Sequence, residues 1–280
     1  DDICAAVVTY NPSRQLEENV LSLSAQTGRV IIFDNNSSLD ESISILNELS
    51  QRTDITIFHE ESNMGIPYCL NKALDYCNDN GFPLLLTMDQ DSVLDDGCVA
   101  KMLDVLNGND QIKSVGPNYL NKKIAGPFSL EKFLITSGNL VDVKVAAQSG
   151  GYYSDLFIDY VDIEFSLKIR EAGYLCAIAG EATMLHKIGE YEQKRILFFK
   201  RKYLSHSPER FYYAFRNAFI TFKLHKKTFF FYCLKMMILQ HLELFKILFE
   251  KNCWKKLKKS FKGIGHGIRY KVHKQPKKTS

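Results

Sequence analysis

No two of the seven cysteines, at positions 4, 69, 77, 98, 176, 233 and 253, form a Cys-x-x-Cys pair. An odd, unpatterned set excludes a disulfide framework and a paired-thiolate zinc site, and fits reduced thiols in a cytosolic setting. No Gly-x-Gly-x-x-Gly follows the first apolar run, and no Gly-x-x-x-x-Gly-Lys-Ser/Thr or Gly-x-Ser-x-Gly occurs anywhere. The dinucleotide fingerprint, the P-loop and the hydrolase elbow are thereby excluded. The first residues are acidic and run straight into a strand, without a signal-peptide pattern. Acid is scarce in one region. Residues 201–280 carry 3 Asp+Glu against 20 Lys+Arg, a charge of +17, whereas residues 1–200 carry 29 against 16, or −13. An acidic body with a basic tail points to two tasks.

What is present in the first half alternates. "ICAAVVTY", "RVIIFD", "DITIFHE" and "PLLLTMD" are apolar throughout. Between them lie segments of helical periodicity; the first is opened by Asn-Pro-Ser and carries Leu16, Val20 and Leu23. Buried strands alternating with helices predict an α/β fold with a mainly parallel sheet covered on both faces. Such sheets bind ligands at the carboxyl ends of their strands. The polar clusters fall there: Thr9–Asn11, Asp34–Ser37, Asn63–Gly65 and Asp89–Asp91. Further on, "SVGPNYL" and "FLITSGNLVDV" read as strands, "IDYVDIEFSLKIREAGY" as a helix, and "LCAIAGEATMLHKIGE" as strands ending near His186.

Asp89 and Asp91 are two carboxylates one residue apart after a buried strand. They offer hard oxygen ligands to Mg²⁺ or Mn²⁺, ions that take one or two protein carboxylates and leave other positions to water and phosphate. A calcium loop fails, because its fifth and sixth positions are Val93 and Leu94. By itself the pair also reads as two solvated turn aspartates. A second acidic group, Asp159, Asp162 and Glu164, stands at a helix start. Capping of the helix dipole explains one carboxylate there; three in six residues leave one as a general base. His186 is either a third metal ligand or structural.

The motifs "VVTYNP", "IIFDNNSS", "NMGIPYCLNKA", "LLLTMDQDS", "ITSGNLV", "FIDYVDIEFSLKIREAGY" and "HKIGE" occur in this order over residues 3–190, with a weaker echo in "HSPERFYYAFRN". The pattern resembles inverting family 2 glycosyltransferases of the GT-A fold, most of all bacterial dTDP-L-rhamnose-dependent rhamnosyltransferases of O-antigen and capsule assembly. The resemblance implies that Thr9, Tyr10 and Asn11 line the nucleoside pocket and that Asp34 and Asn35 contact the base. It implies that Asn63, Gly65 and Asn71 border the donor, that Asp89 reaches the ribose, and that Ser137, Gly138 and Asn139 floor the site where donor meets acceptor. Asp91 and His186 would hold a divalent metal, Mg²⁺ or Mn²⁺. Asp162 would be the catalytic base, with Asp159 or Glu164 as a second acidic contact. Relatives often carry Asp-Asp where this chain has Asp34-Asn35, and Glu where it has Val161.

The expected organisation is a GT-A catalytic domain over 1–200 and a basic, aromatic-rich helical tail over 201–280. Residues 229–249 include 16 apolar residues of 21, but Lys235, His241, Glu243 and Lys246 lie among them. Central charges disfavour a span, so an interfacial or protein-packed helix on an anionic leaflet fits better. The resemblance implies a nucleotide-sugar donor, a lipid-linked saccharide acceptor and a peripheral place on the cytoplasmic face of the cell membrane. A UDP-sugar such as UDP-hexose or UDP-galactofuranose remains an alternative donor, and a non-catalytic nucleotide-sugar-binding assembly subunit an alternative function. Nucleic acid is disfavoured as a partner: the tail's aromatics sit in the apolar run rather than among the lysines, and the acidic body repels phosphates.

Overall fold

The computed structural model describes residues 2–186, 191–196, 199–204 and 206–273. Residues 187–190 of the "HKIGE" motif and the last seven of the basic tail lie outside them. The chain divides into two compact units. Among the described residues, one comprises 2–155 and 161–186, the other 156–160 and 191–273.

In the first unit, β1 (Ile3–Thr9), β2 (Arg29–Asp34), β3 (Ile55–His59) and β4 (Leu84–Asp89) alternate with α1 (Gln15–Ser24), α2 (Asp40–Leu49) and α3 (Ile66–Asp79). There follow β5 (Val93–Leu94), α4 (Cys98–Asn107), β6 (Ile112–Pro117), β7 (Phe128–Glu131), β8 (Asn139–Asp142), α5 (Val143–Gln148), α6 (Val161–Glu171), β9 (Leu175–Ala179) and β10 (Met184–Leu185). Eight strands form one sheet in the order β3-β2-β1-β4-β8-β6-β9-β7. All neighbours pair in parallel except those of β8 and β7. The sheet is therefore mainly parallel, as its apolar strands predict. Residues 3–7 are at most 5% exposed, and Leu16, Val20 and Leu23 are fully buried on α1. Burying each leucine contributes about 2 kcal/mol.

Two local expectations shift. Helix α1 starts at Gln15 without a side-chain cap rather than at Asn-Pro-Ser. Asn11 lies in the left-handed region (φ 48°), and its side-chain oxygen accepts from the N–H groups of Ser38 (2.8 Å) and Leu39 (3.2 Å) at the entry to α2. The segment "FLITSGNLVDV" is extended as a strand only from Asn139, because Gly138 (φ 80°) turns the chain just before it. All seven thiols are free and six are buried. Burial pushes Cys69 and Cys98 up to about 12 and Cys176 to about 11, which makes them poor nucleophiles.

The second unit holds the antiparallel pair β11 (Tyr191–Ile196) and β12 (Phe199–Leu204), then α7 (Pro208–His225), α8 (Phe230–Ile247) and α9 (Cys253–Arg269). The first residues of the basic tail thus lie in a strand, and helices follow. Among the described residues, no helix is long and apolar enough to cross a membrane. Phe211, Phe215 and Ile247 form a small core with Leu244, Leu257 and Ile264 against it. Helices α7 and α9 approach closely because α9 turns Ser260, Gly263 and Gly267 inward. A methyl group at 263 would collide with the Tyr212 carbonyl oxygen, and one at 267 would stand 2.8 Å from that of Arg216. The buried Lys256 pairs with Glu250 at 2.7 Å.

This packing makes a paired prediction. Gly263→Ala overpacks the α7–α9 contact and costs about 1–3 kcal/mol. Gly265→Ala meets nothing within 4 Å and gains up to about 1 kcal/mol of helix propensity. Urea unfolding followed by circular dichroism should move the midpoints in opposite directions; a shift of the same sign for both would contradict the contact.

Candidate active site

Strand register builds one row of residues across the carboxyl ends of the sheet. Thr9 pairs with Asp34 and Asp34 with His59, while Val8 pairs with Asp89. The row spans the point between β1 and β4 where the strand order reverses, the place such sheets reserve for ligands.

The first half of the row is a hydrogen-bonded frame. Asp34 is 4% exposed. Its carboxylate accepts from the Ser37 N–H (3.2 and 3.3 Å), the Ser37 hydroxyl and the Thr9 hydroxyl (3.4 Å), and lies 3.2 Å from His59 Nδ1. The Asn11 N–H donates to Ser37 Oγ at 2.8 Å. Asn35 accepts from the Met64 N–H at 2.7 Å, and Asn63 from the Gly65 N–H at 3.1 Å. Thr9, Asp34 and Asn35 are therefore buried and hold loops, while Tyr10 is half exposed and the His59 side chain is 59% exposed. Those two rings offer faces on which a base can stack. His59 was invisible to sequence reasoning, since only the register reveals its place in the row.

The acidic loop is pinned from three sides. Asn19, buried on α1, donates to the carbonyls of Asp89 (2.7 Å) and Ser92, and Gln15 donates to that of Asp91 (2.9 Å). The Tyr10 N–H donates to Gln90 Oε1 at 2.8 Å, which ties the ends of β1 and β4 together. Ser137 Oγ accepts from the Asp89 N–H at 3.3 Å. Beyond the loop, β5 pairs with β10, Leu94 opposite Met184 and Val93 opposite Leu185. This pairing brings His186 to the acidic loop, where its Nδ1 lies 2.7 Å from Ser92 Oγ. Burial lowers the His186 pKa below its ordinary value, with the Asp91 charge acting in the opposite direction. A neutral imidazole beside a carboxylate is a chemically suitable donor pair for a divalent ion that takes its remaining ligands from phosphate and water. No group of three metal-ligating side chains occurs among the described residues.

Tyr119 links this end to α6. Its ring meets that of His186 edge to face, with centroids 5.6 Å apart. Its hydroxyl is pushed to a higher pKa by burial first, then by the charges of Asp162 and Glu131. Tyr119 thus touches His186 and feels the charge of Asp162, while His186 feels that of Asp91. Val161, Phe165 and Ile169 anchor α6 in the core, and Ser166 Oγ accepts from the Leu134 N–H at 3.1 Å. Asp162 is half-buried on the same helix. The 137–139 turn is fixed by the Gly138 N–H donating to the Thr87 carbonyl (2.8 Å) and by Ser114 donating to Asn139 Oδ1 (2.7 Å). A Cβ at Gly138 would stand 2.7 Å from Pro117, so this turn requires glycine on both conformational and steric grounds.

Three candidates stand apart from these residues. Glu164 is fully buried and 3.2 Å from Lys168, one helical turn on; burial keeps it from meeting a ligand. Asn71 exchanges bonds with the Tyr152 backbone, 2.8 Å in each direction, and donates to Ser154 (3.1 Å), so its amide clasps the 152–154 segment. Asp159 belongs to the second unit, where its carboxylate pairs with Arg210. Phe157, Asp159 and Tyr160 are all left-handed (φ 64°, 62° and 67°), at roughly 1–3 kcal/mol of strain each. Asn217 offsets it by donating to the carbonyls of Leu156, Ile158 and Asp159 at 2.7–2.9 Å. That clasp gives the "HSPERFYYAFRN" segment a physical role. A separate cavity of about 720 Å³, lined by Lys101, Asp104, Lys122, Phe128 and Glu181 among others, contains none of the candidate residues.

Residues 4–132 match the model of Glycosyl transferase family 2. Among solved structures, the mannosyltransferase PcManGT from Pyrobaculum calidifontis in complex with GDP-Man and Mn²⁺ superimposes with a TM-score of 0.62 at 14% identity, over 97% of this chain and 76% of that one. TarS of S. aureus gives 0.59 at 14% identity, over 95% and 48%, and GalNAc-T7 with UDP, GalNAc and Mn²⁺ gives 0.60 at 12%, over 79% and 47%. The chain thus spans about half the length of the latter two. The match to Glycosyl transferase family 2 covers somewhat under half of the chain, the fold is of the GT-A type, and the chain is a glycosyltransferase. Its relatives include the dTDP-rhamnosyl transferase RfbF of Shigella flexneri, 28% identical over 243 residues, 78% of this chain and 79% of the relative.

The burial of His186 is directly testable. The unfolded chain takes up a proton near 6.5 while the folded imidazole resists it, so this group costs stability as pH falls from there through the folded pKa. Titration by ¹⁵N NMR should place His186 below 6.5, and Asp91→Asn should lower it further. A rise on that substitution would contradict the placement of Asp91 beside His186.

Proposed function

We propose that the chain is an inverting glycosyltransferase that moves L-rhamnose from dTDP-L-rhamnose to a lipid-linked saccharide acceptor in bacterial surface polysaccharide synthesis. The observation that carries this reading is that His186 is held against Ser92 of the Asp89–Asp91 loop and against the Tyr119 ring, at the carboxyl ends of the strands. The similarity to a dTDP-rhamnosyl transferase over most of both chains supports the donor.

In this reading the nucleoside lies along the Thr9–Asp34–His59 row. Thr9, Asp34, Asn35, Asn11, Asn63 and Gly65 shape its walls, and Tyr10 and His59 supply ring faces. Asp89 reaches the ribose. Asp91 and His186 would hold a divalent ion, Mg²⁺ or Mn²⁺, which when bound would supply positive charge to offset the negative charge building on the departing diphosphate. The turn of Ser137, Gly138 and Asn139 floors the sugar site. Asp162 accepts the proton of an acceptor hydroxyl, whose oxygen attacks the anomeric carbon opposite the diphosphate. The carbon–phosphate oxygen bond breaks as the new glycosidic bond forms, and the configuration inverts. Tyr119 fills the space between base and metal ligand, where it limits water. The catalytic domain is proposed to end near residue 200, and the basic segment 201–280 to hold the enzyme peripherally on the cytoplasmic face of the membrane.

Replacing the base separates binding from chemistry. Asp162→Asn should leave the affinity for dTDP within twofold in calorimetry and lower rhamnosyl transfer about 10²–10⁴-fold. Transfer at the unmodified rate would remove Asp162 from the role of base.

A further inference from the structure

The outer face of α9 is ordered in a way that packing against α7 does not require. Trp254, Phe261 and Ile268, seven residues apart, are 80%, 61% and 56% exposed. At 3.6 residues per turn they form one line along the helix. Lys255, Lys258, Lys262 and Arg269 are also exposed and form a second line beside the first, both lines falling within an arc of about 140°. The opposite side of the helix carries the inward-turned Lys256, Ser260, Gly263 and Gly267. The helix contains no acidic residue. Among the described residues, the ion pairs of this helix are made by other lysines: Lys256 pairs with Glu250 and Lys259 with Glu209.

We infer that this face of α9 is a docking surface for an anionic lipid bilayer, with the helix lying in the interface plane. Trp254, Phe261 and Ile268 enter the headgroup–acyl boundary while the four cations stay among the anionic headgroups. Both features are needed for that assignment. A protein groove would use the apolar line without the cations, and a nucleic acid would use the cations without an unbroken apolar edge. Bulky apolar residues flanked by Lys and Arg on one helix face match the boundary between acyl chains and anionic headgroups. The apolar stripe of α8 is different. Its Lys246 pairs with Glu243, and nothing on it selects a partner. The inference deepens the peripheral-association part of the proposed function and is independent of donor and acceptor.

Trp254 is the chain's only tryptophan, so it reports on this surface alone. The full chain is mixed with vesicles of phosphatidylcholine, with or without phosphatidylglycerol. Expected are a blue shift of the emission and quenching by shallowly brominated lipid, with anionic vesicles only and weakened by salt. Lys258→Ala should lower the partition coefficient about fivefold, and Lys258→Ala with Lys262→Ala about 25-fold. Circular dichroism of both variants should be unchanged, as should dTDP affinity. The inference is overturned if the protein pellets with vesicles while Trp254 stays unquenched, since another face then docks. Equal binding to neutral vesicles, an emission shift caused by an oligonucleotide instead of vesicles, or a dimer already blue-shifted without lipid overturns it too. Donor turnover with a soluble acceptor is read separately, so loss of docking and failure of the transferase reading are distinguishable.

Discussion

A two-residue pairing holds the candidate site together. Val93 and Leu94 pair with Leu185 and Met184, and this joins chain segments about ninety residues apart in sequence. Without it, Asp91 would end a surface turn and His186 would stand at a free strand end. With it, Ser92 and His186 come to 2.7 Å, and the ring of Tyr119 closes on the imidazole. The proposed donor side of the site follows from sheet register alone, whereas the proposed metal side depends on this contact between non-neighbouring strands.

The same contact answers why two carboxylates are kept so close. Asp89 and Asp91 sit in a loop whose backbone is fixed by Asn19, Gln15 and Gln90. Fixing the backbone removes the option of relieving repulsion by rearrangement, and the proposed divalent ion would relieve it instead. The two residues differ in surroundings. The Asp89 backbone is tied to Ser137 and Asn19, while the Asp91 charge acts on His186. Pre-formed loops of this kind lower the ordering cost of binding.

Much of this was legible in the sequence for a physical reason. Buried parallel strands are apolar at every position, so β1 to β4 announce themselves, and their polar ends mark the ligand edge. Motif order then pointed to the family. Long-range geometry was not legible. Nothing local distinguishes the half-buried Asp162 from Glu164, two residues on and fully buried against Lys168. The family resemblance implied Asn71 as a donor contact; in the fold its amide is bonded to Tyr152 and Ser154. Asp159 read as a helix-start acid, but three left-handed residues place it before α6, and Arg210 takes its charge. Tyr119 and His59 carried no signal at all, since each gains its place only through a neighbouring strand.

The central claim is that the strand-end group binds a nucleotide sugar through its diphosphate and a divalent ion. The most direct measurement is release of nucleoside diphosphate from a panel of nucleotide sugars, with Mg²⁺ or Mn²⁺ and with chelator, in the presence of a lipid-linked acceptor. The account predicts metal-dependent release from dTDP-L-rhamnose, abolished by chelation. Release from a UDP-sugar alone would contradict the proposed donor, and metal-independent release, or none from any donor, would contradict the site itself.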